Sequence, residues 1–470
     1  VIHKEAFKIN AKNLGLDLMG IKIIKLPVVS AGPSNHWQLW LYKSIIRAFR
    51  STLAGFFGSL QRFLYFRQII WFPMRKYFLL IVLVFFVAPC FSQSIESLRI
   101  THGPWLQNET DDGVTICWTT NLPAVPGIWL VRDQPMTDSL IRNSTDGLIN
   151  VGGTLHQVRI TGLQPGTTYS YRMHSVELLK LRPYQVYFGD TVKGKEFRFT
   201  TLNPSKKTTR FMVVNDIHTD GAKLGGLLRS GNAAEQDLLF YNGDIVDNFE
   251  SESQLLGPII DTSVRYFASR VPFVFIRGNH ETRGFMARKL KDYLDYPDNH
   301  YYYSFDQGPV HFVVLDCGED KPDNNRYYYG LADYDNYRLQ ELEWLKREVK
   351  TPAYRNAAFR VILVHMPIIP SYRFIYARLP FLIKEDRGYG PSFLSEHFGP
   401  VIREAGADLM IAGHTHRHLW LSPPFSGFGF PILINGTSNF VQVDATDQLL
   451  SIKVASGKNE AILSKELKKR

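Results

Sequence analysis

Arg210-Phe-Met-Val-Val-Asn-Asp-Ile-His218 is an apolar, β-branched run that ends abruptly in a carboxylate and an imidazole. The pattern recurs along the chain. Asp237-Leu-Leu-Phe-Tyr-Asn242 runs into Gly243-Asp244, and Pro272-Phe-Val-Phe-Ile-Arg277 runs into Gly278-Asn279-His280-Glu281. Phe359-Arg-Val-Ile-Leu-Val364 runs into His365, and Leu409-Met-Ile-Ala412 runs into Gly413-His414-Thr415-His416. Short apolar runs of this composition predict buried strands. Each polar cluster then falls at a strand's C-terminal end, where open α/β sheets place their ligands.

The residue types in these clusters are Asp, His and Asn, which bind hard or borderline divalent and trivalent metals. Asp216 and His218 are two apart, so on extended chain their side chains point the same way. Gly243 lets the backbone turn tightly beneath a metal held by Asp244. Asn279 offers a neutral oxygen, and His365, His414 and His416 offer imidazoles. Seven such groups converging on one sheet edge exceed the roughly four to six that one cation takes, so two cations sharing a carboxylate are expected. Any one cluster alone also reads as an ordinary turn or loop. Their succession, each behind an apolar run, is what favours a metal site.

Upstream, Ile95–Ile100, Val114–Trp118, Ile128–Val131, Gln157–Ile160, Thr168–Met173 and Glu196–Thr200 are short strand candidates separated by turn residues. They predict an all-β sandwich over residues 94–203. Within it, Gly162-Leu-Gln-Pro-Gly-Thr-Thr-Tyr169 resembles the corner of a fibronectin type III domain, which implies that Tyr169 reaches back to hydrogen-bond the chain and Trp118 fills the core. The polar stretch Leu202–Thr209 reads as a linker.

Taken in order, Asp-x-His, Gly-Asp, Gly-Asn-His-Glu, His and Gly-His-x-His resemble the calcineurin-like metallophosphoesterase superfamily over about residues 208–445. With a β-sandwich in front, the chain is similar more particularly to the purple acid phosphatases. The resemblance implies a four-layer α/β/β/α domain over residues 208–470. It implies one cation held by Asp216, His218, Asp244 and His416, and another held by Asp244, Asn279, His365 and His414. Asp244 would be the bridge, and His280 would face the phosphate beside Asn279. The chain departs from the purple phosphatases twice. His218 stands where they have Gly, and Asp247 stands where they have the Tyr that binds ferric iron. A colourless centre of Mn, Zn or Fe(II) is therefore expected, with Asp247 orienting a ligand His.

Two cations neutralise phosphate oxygens and lower the pKa of water, so the expected reaction is in-line hydroxide attack on a phosphate ester. His280 is the expected donor to the leaving oxygen or the phosphoryl group. Arg283 is expected to clamp a phosphate oxygen, and His418 either lines the pocket or packs. Pro367–Pro391, with Tyr372, Phe374, Tyr376, Arg378, Phe381 and Tyr389, is expected to overhang the site and shape specificity. Glu281–Tyr296 and Tyr334–Val349 have helical periods. Val310–Leu315 predicts a further strand, Phe430–Asn435 and Phe440–Val443 read as strands of a second sheet, and Leu450–Ala455 with Glu460–Leu463 reads as a closing hairpin.

The formal net charge of +10 raises the question of nucleic acid, but its location answers it. Twelve of the 54 basic residues and only two of the 44 acidic ones precede Tyr77, so the rest is balanced. No nucleic-acid partner is expected. Met74-Arg-Lys76 followed by the apolar run Tyr77–Ala88 reads as a signal peptide over 74–92. The run is shorter than the ~20 residues that span a bilayer. Residues 1–73 show no clear period and read as a non-native upstream extension or a basic leader. Cys90 offers a lipid-anchor alternative. Cys117 and Cys317 read as separate buried thiols.

The chain thus reads as a secreted or periplasmic dimetal phosphoesterase, or a membrane-anchored lipoprotein. A phosphomonoesterase is preferred, with a phosphodiesterase on nucleotide or lipid-type diesters as the alternative. A surface binding protein with an inert phosphoesterase domain is the reading from another class, and the intact ligand set argues against it.

Overall fold

The computed structural model describes residues 96–131, 139–369 and 388–470. The leader at 74–92, Cys90 and residues 1–73 lie outside the described residues, as do Tyr372, Phe374, Tyr376, Arg378 and Phe381.

The N-terminal part is all-β. Strands β1 (Ile100–Gln107), β2 (Val114–Val131), β3 (Ser139–Ile141), β6 (Gly153–Ile160), β7 (Thr168–Arg182) and β8 (Gln185–Thr200) are linked by β2; β4 (Ser144–Thr145) and β5 (Leu148–Ile149) pair separately. Two strands were expected where β2 runs unbroken. Its first half pairs with β1 and β6, its second half with β3 and β7, and the register breaks between Thr119 and Ala124. Trp118, Ile128, Tyr171 and Phe199 are buried together in its core. Tyr169 does reach back, its hydroxyl accepting from the Gln164 amide at 2.9 Å. β7 and β8 continue far beyond the expected Met173 and Glu196 limits. Their outer halves leave Leu179, Leu181, Tyr184 and Phe188 exposed, so no alternating burial marks them in the sequence.

This β part is fastened to the α/β part. Trp105 lies in an apolar cluster with Leu224, Phe249 and Leu294, and its indole donates to the Tyr293 carbonyl at 3.1 Å. Tyr171 donates to the Ser269 carbonyl at 2.8 Å. The stretch expected as a linker is also tied down. Leu202 is buried with Phe211 and Val310, and the Asn203 amide donates to Gln307 Oε1 at 2.7 Å.

In the α/β part, the ligand-bearing strands divide between two sheets instead of lining the single edge expected. Parallel β9 (Thr208–Val214), β10 (Leu238–Asn242) and β11 (Phe273–Ile276) belong to the first. It is completed by antiparallel β18 (Asn439–Thr446), β19 (Leu449–Ser456) and β20 (Ala461–Lys468), in the order β11-β10-β9-β18-β19-β20. The second contains β12 (Tyr303–Gln307), β13 (Val310–Val314), β14 (Phe359–Leu363), β15 (Leu409–Ala412), β16 (Leu419–Leu421) and β17 (Ile432–Ile434), in the order β12-β13-β14-β15-β17-β16. Phe440–Val443 therefore belongs to the first sheet, not the second.

Phe211, Val213 and Phe240 from one sheet meet Phe312, Val361 and Ile411 from the other in a common core. The opposite faces are covered too. Met212 and Val214 pack with Leu224 and Leu227 of helix Gly221–Ser230. Val313, Ile362 and Met410 pack with helices Tyr334–Glu348 and Tyr389–Ala405. Burial on both faces is why these strands read as unbroken apolar runs. The helix expected over Glu281–Tyr296 is broken into turns His280–Thr282 and Phe285–Lys289 and a helix Leu290–Tyr293; Gly284, at φ +99°, interrupts it.

His311 on β13 is buried between Asp306 Oδ1 at 2.7 Å and Glu348 Oε1 at 3.1 Å. Burial would lower its pKa, but the two carboxylates prevail and push it up to about 9. A pKa raised on folding stabilises below the unfolded value and is lost as pH rises through the folded one. We expect unfolding free energy to fall by on the order of 1–3 kcal/mol between about pH 6.5 and 9, and His311→Gln to flatten that slope in urea titrations.

Candidate metal centre

β9, β10 and β11 run in register, so the residues after their last positions stand side by side. β14, β15 and β17 do the same in the other sheet. Backbone bonds continue past the strand ends, from Asp216 N to Gly243 O at 3.0 Å and from Gly413 N to His365 O at 2.9 Å. The five polar clusters are thereby brought to one place from two sheets.

Two groups of side chains offer converging atoms there. Asp216, His218 and His416 form one, and Asp244, His365 and His414 the other; within each, the donor atoms lie within 4.8 Å of one another. His365 Nε2 is 3.0 Å from Asp244 Oδ2 and 4.0 Å from Asp216 Oδ1, so the groups adjoin. His218 Nε2 and His416 Nε2 face each other at 3.2 Å. A third group, His218, Asp247 and His280, stands beside them.

The supporting bonds aim specific lone pairs inward. His365 Nδ1 bonds the Asn242 carbonyl at 2.8 Å, so Nδ1 carries a proton and Nε2 is the nitrogen turned toward Asp244 and Asp216. Asp216 Oδ2 accepts from Asn215 Nδ2 at 2.5 Å and from the His414 amide at 3.1 Å, which leaves Oδ1. Asp244 Oδ1 accepts from the His280 amide at 2.9 Å, which turns Oδ2 toward His365. Asp216 Oδ1, Asn279 Oδ1 and His365 Nε2 are buried without a hydrogen-bond partner. Buried polar atoms are normally satisfied. Three unsatisfied lone pairs on Asp, Asn and His are the donor set a borderline or hard cation takes.

The local backbone is strained to reach this arrangement. Asp216, His218, Asp244, His414 and His416 all have φ between +52° and +70°. Such conformations are rare for non-glycine residues and cluster at functional sites. The glycines allow close approach. A Cβ on Gly243 would lie 2.3 Å from His365 Nδ1, and one on Gly278 would lie 2.2 Å from Asp244 Oδ1.

Electrostatics couples the two anions to the imidazoles. Burial would raise the Asp244 carboxyl, but His365 and His280 hold it well below the usual carboxylate range. Asp216 is likewise lowered against burial, by the His416 ring, whose Nε2 lies 3.3 Å from Oδ1, and by His365. Burial lowers His365, yet Asp244 and Asp216 push it up to about 10. Burial and the His365 charge take His414 down to about 4.

The other anticipated residues lie around this core. His280 Nε2 is 3.9 Å from Asp244 Oδ2, and its Nδ1 bonds the Asp247 carbonyl at 2.5 Å. Asp247 Oδ1 stands 3.4 Å from His218 Nδ1 and 3.1 Å from His280 Nδ1. Arg283 is forked onto Glu319, at 2.9 and 2.7 Å, while its remaining nitrogen reaches His280 Nε2 at 3.2 Å. His418 belongs to neither group of converging side chains, and its Nδ1 is buried without a hydrogen-bond partner. Tyr389 donates to Asp335 at 2.5 Å.

Several supporting residues escaped the sequence reading. Asn242 Nδ2 bridges to the Val364 and Ile411 carbonyls of the other sheet at 3.3 and 3.2 Å. Asn215 and Asn435 bond each other across the sheets at 2.7 Å. Glu281 is fully buried and accepts from the Asp244, Val246 and Gly278 amides at 2.8–3.0 Å, pinning two of the metal loops together. Burial and the nearby Asp244 charge push Glu281 up to about 7. The visible signal was an asparagine closing two of the apolar runs, Asn215 one place before Asp216 and Asn242 two places before Asp244.

The fold and the site define a calcineurin-like phosphoesterase whose model matches residues 209–418, preceded by a match to the purple acid phosphatase N-terminal domain over residues 104–201. The chain carries a calcineurin-like phosphoesterase domain behind a purple acid phosphatase N-terminal domain, and its homologues are acid and purple acid phosphatases, which are metal-dependent phosphoesterases. It is 24% identical over 325 residues to acid phosphatase type 7 of Mus musculus, covering 67% of this chain and 68% of that one. It is 24% identical over 310 residues to purple acid phosphatase 15 of Arabidopsis thaliana, covering 58% of this chain and 51% of that one. The structure of purple acid phosphatase PPD1 from yellow lupin superposes with a TM-score of 0.55 at 14% identity, covering 78% of this chain and 74% of that one. The family implies a dinuclear metal centre, and the unsatisfied buried lone pairs fit one. No helix among the described residues is long and apolar enough to cross a membrane.

Gly243→Ala drives a methyl group into the His365 ring. We expect bound metal, measured by inductively coupled plasma mass spectrometry, to drop at least tenfold while far-ultraviolet circular dichroism is unchanged.

Proposed function

We propose that the chain is an exported phosphomonoesterase with two cations, one held by Asp216, His218, Asp244 and His416 and the other by Asp244, Asn279, His365 and His414. The single observation that carries this is the set of orphaned inward lone pairs on Asp216, Asn279 and His365. The signal-like run at 74–92 supports export, as a secreted or periplasmic protein. Mn, Zn and Fe(II) suit the donors. Two core-covered sheets support a four-layer α/β/β/α domain over residues 208–470, and the Tyr169 hydrogen bond supports a fibronectin type III-like unit over residues 94–203.

When bound, the cations neutralise phosphate oxygens and acidify water. The protein's own side chains orient and exchange protons around that chemistry. Asp244 would be the carboxylate common to both cations, its charge held by His365 and His280. The Asn279 amide oxygen and the His280 ring line the place where the phosphoryl group sits. His280 is held through Nδ1 by Asp247, so Nε2 is the atom that exchanges a proton with the leaving oxygen. Arg283 contacts that Nε2 and is itself fixed by Glu319, so it acts as a positioning residue for His280.

The test is a paired assay on protein beginning at Gln93, using an aryl phosphate monoester and the matching diester with Mn, Zn and Fe(II). Asp244→Ala should abolish both metal loading and turnover; unchanged turnover in that variant overturns the assignment. His280→Gln should lower kcat by about 10²–10⁴-fold on the monoester while metal content stays at the wild-type level. Diester turnover equal to or above monoester turnover would reject the monoesterase preference.

A further inference from the structure

Arg283 also lines a cavity of about 740 Å³ whose walls carry five cations, Arg277, Arg283, Arg288, Lys291 and Lys321, beside the carboxylate of Glu319. Three of these are matched. Arg277 pairs with Asp316, Arg283 with Glu319 and Lys321 with Asp320. Arg288 and Lys291 form no salt bridge among the described residues. Lys291 instead caps the Asn299 carbonyl and sits 4.4 Å over the Tyr301 ring.

The lining also holds aromatic and apolar side chains that are unusually exposed. Tyr327 is 62% exposed, Tyr329 88% and Leu331 75%. Tyr329 is held at φ +51°, a strained conformation for a bulky residue. Large apolar groups gathered on a concave surface, with strain and unmatched charge, mark a ligand site. The volume falls within the ~300–1,000 Å³ range of small-molecule pockets. Arg283 lines this cavity and also contacts His280 Nε2, so the cavity adjoins the proposed metal centre.

Resting on the phosphoesterase reading, we propose that this cavity holds the leaving group, and that the substrate class is a phosphate monoester of a ring that bears a second oxyanion. The ring lies against Tyr327 and Tyr329, and the second oxyanion meets Arg288 and Lys291. A second phosphate and a carboxylate share this chemistry.

The experiment uses phenyl phosphate, benzene-1,4-diyl bisphosphate and 4-carboxyphenyl phosphate with the metal-loaded enzyme, and calorimetric binding of benzene-1,4-bisphosphonate. For the bisphosphate we expect kcat/KM at least tenfold above that for phenyl phosphate. Arg288→Gln with Lys291→Gln should erase this advantage through KM and weaken the bisphosphonate at least tenfold, with phenyl phosphate kinetics unchanged. Because Lys291 also packs on Tyr301, Arg288→Gln alone, at an exposed position, should give a smaller loss in the same direction. If the carboxylate probe gains as much as the bisphosphate, any second oxyanion suffices; a gain for the bisphosphate alone selects phosphate. Equal kcat/KM for all three probes, or bisphosphonate binding indifferent to both variants, overturns the proposal. Loss of phenyl phosphate turnover in the wild type would reject the catalytic reading instead, and the calorimetry would still decide this one.

Discussion

Asp216 and Asp244 are carboxylates buried almost completely and set among five imidazoles, and the rest of the α/β part is arranged around that fact. Taking two anions out of water is costly, and they do so here only because His365, His280 and His416 compensate their charge. The backbone adds to the cost. Each residue held at positive φ is destabilised by about 1–3 kcal/mol, and such residues persist only where the surroundings over-determine them. Three buried asparagines and one buried glutamate do that work of constraint. Asn215, Asn242 and Asn435 lock the ends of the two sheets to each other, and Glu281 ties the loop after β10 to the loop after β11.

That constraint extends outward through a second polar layer. Arg277 pairs with Asp316 and lies 4.0 Å over the Tyr301 ring, and Tyr337 donates to the same carboxylate at 2.7 Å. Arg338, fully buried, donates to the Cys317 and Glu319 carbonyls and so fixes the segment that holds Arg283. A chain of charged contacts therefore runs from helix Tyr334–Glu348 through Glu319 and Arg283 to His280. The position of His280 is set by the packing of that helix as well as by its own loop.

The strands of the α/β part were legible because both of their faces are buried, which leaves an uninterrupted apolar signature ending at the first polar side chain. The conjunction of Asp, His and Asn at those endings was legible for the same reason. What was not legible was partnership. Nothing in the run Leu409–Ala412 distinguishes a neighbour of β10 from a neighbour of β14, so one sheet edge was expected where two sheets meet. The helix expected over Glu281–Tyr296 failed because its apolar spacing is real but Gly284 breaks the backbone that would carry it. The outer halves of β7 and β8 were missed because solvent faces both of their sides, and alternation then has no physical cause.

The two departures from the purple phosphatase pattern are one change in three dimensions. His218 and Asp247 are nearly thirty positions apart in sequence, yet His218 Nδ1 lies 3.4 Å from Asp247 Oδ1. Where that family's pattern pairs a glycine with an anionic tyrosine ligand, this chain places a neutral imidazole with its Nε2 turned inward and a carboxylate on the imidazole's other nitrogen. The negative charge is kept but moved outward, from the position of a ligand to that of a group bonded to one. A ligand His backed by a carboxylate is more basic than one left to water. On the proposed ligand set, a ferric ion loses the phenolate that stabilises it, while a divalent ion loses nothing it requires. The same Asp247 oxygen stands 3.1 Å from His280 Nδ1, so one carboxylate is shared by the two rings.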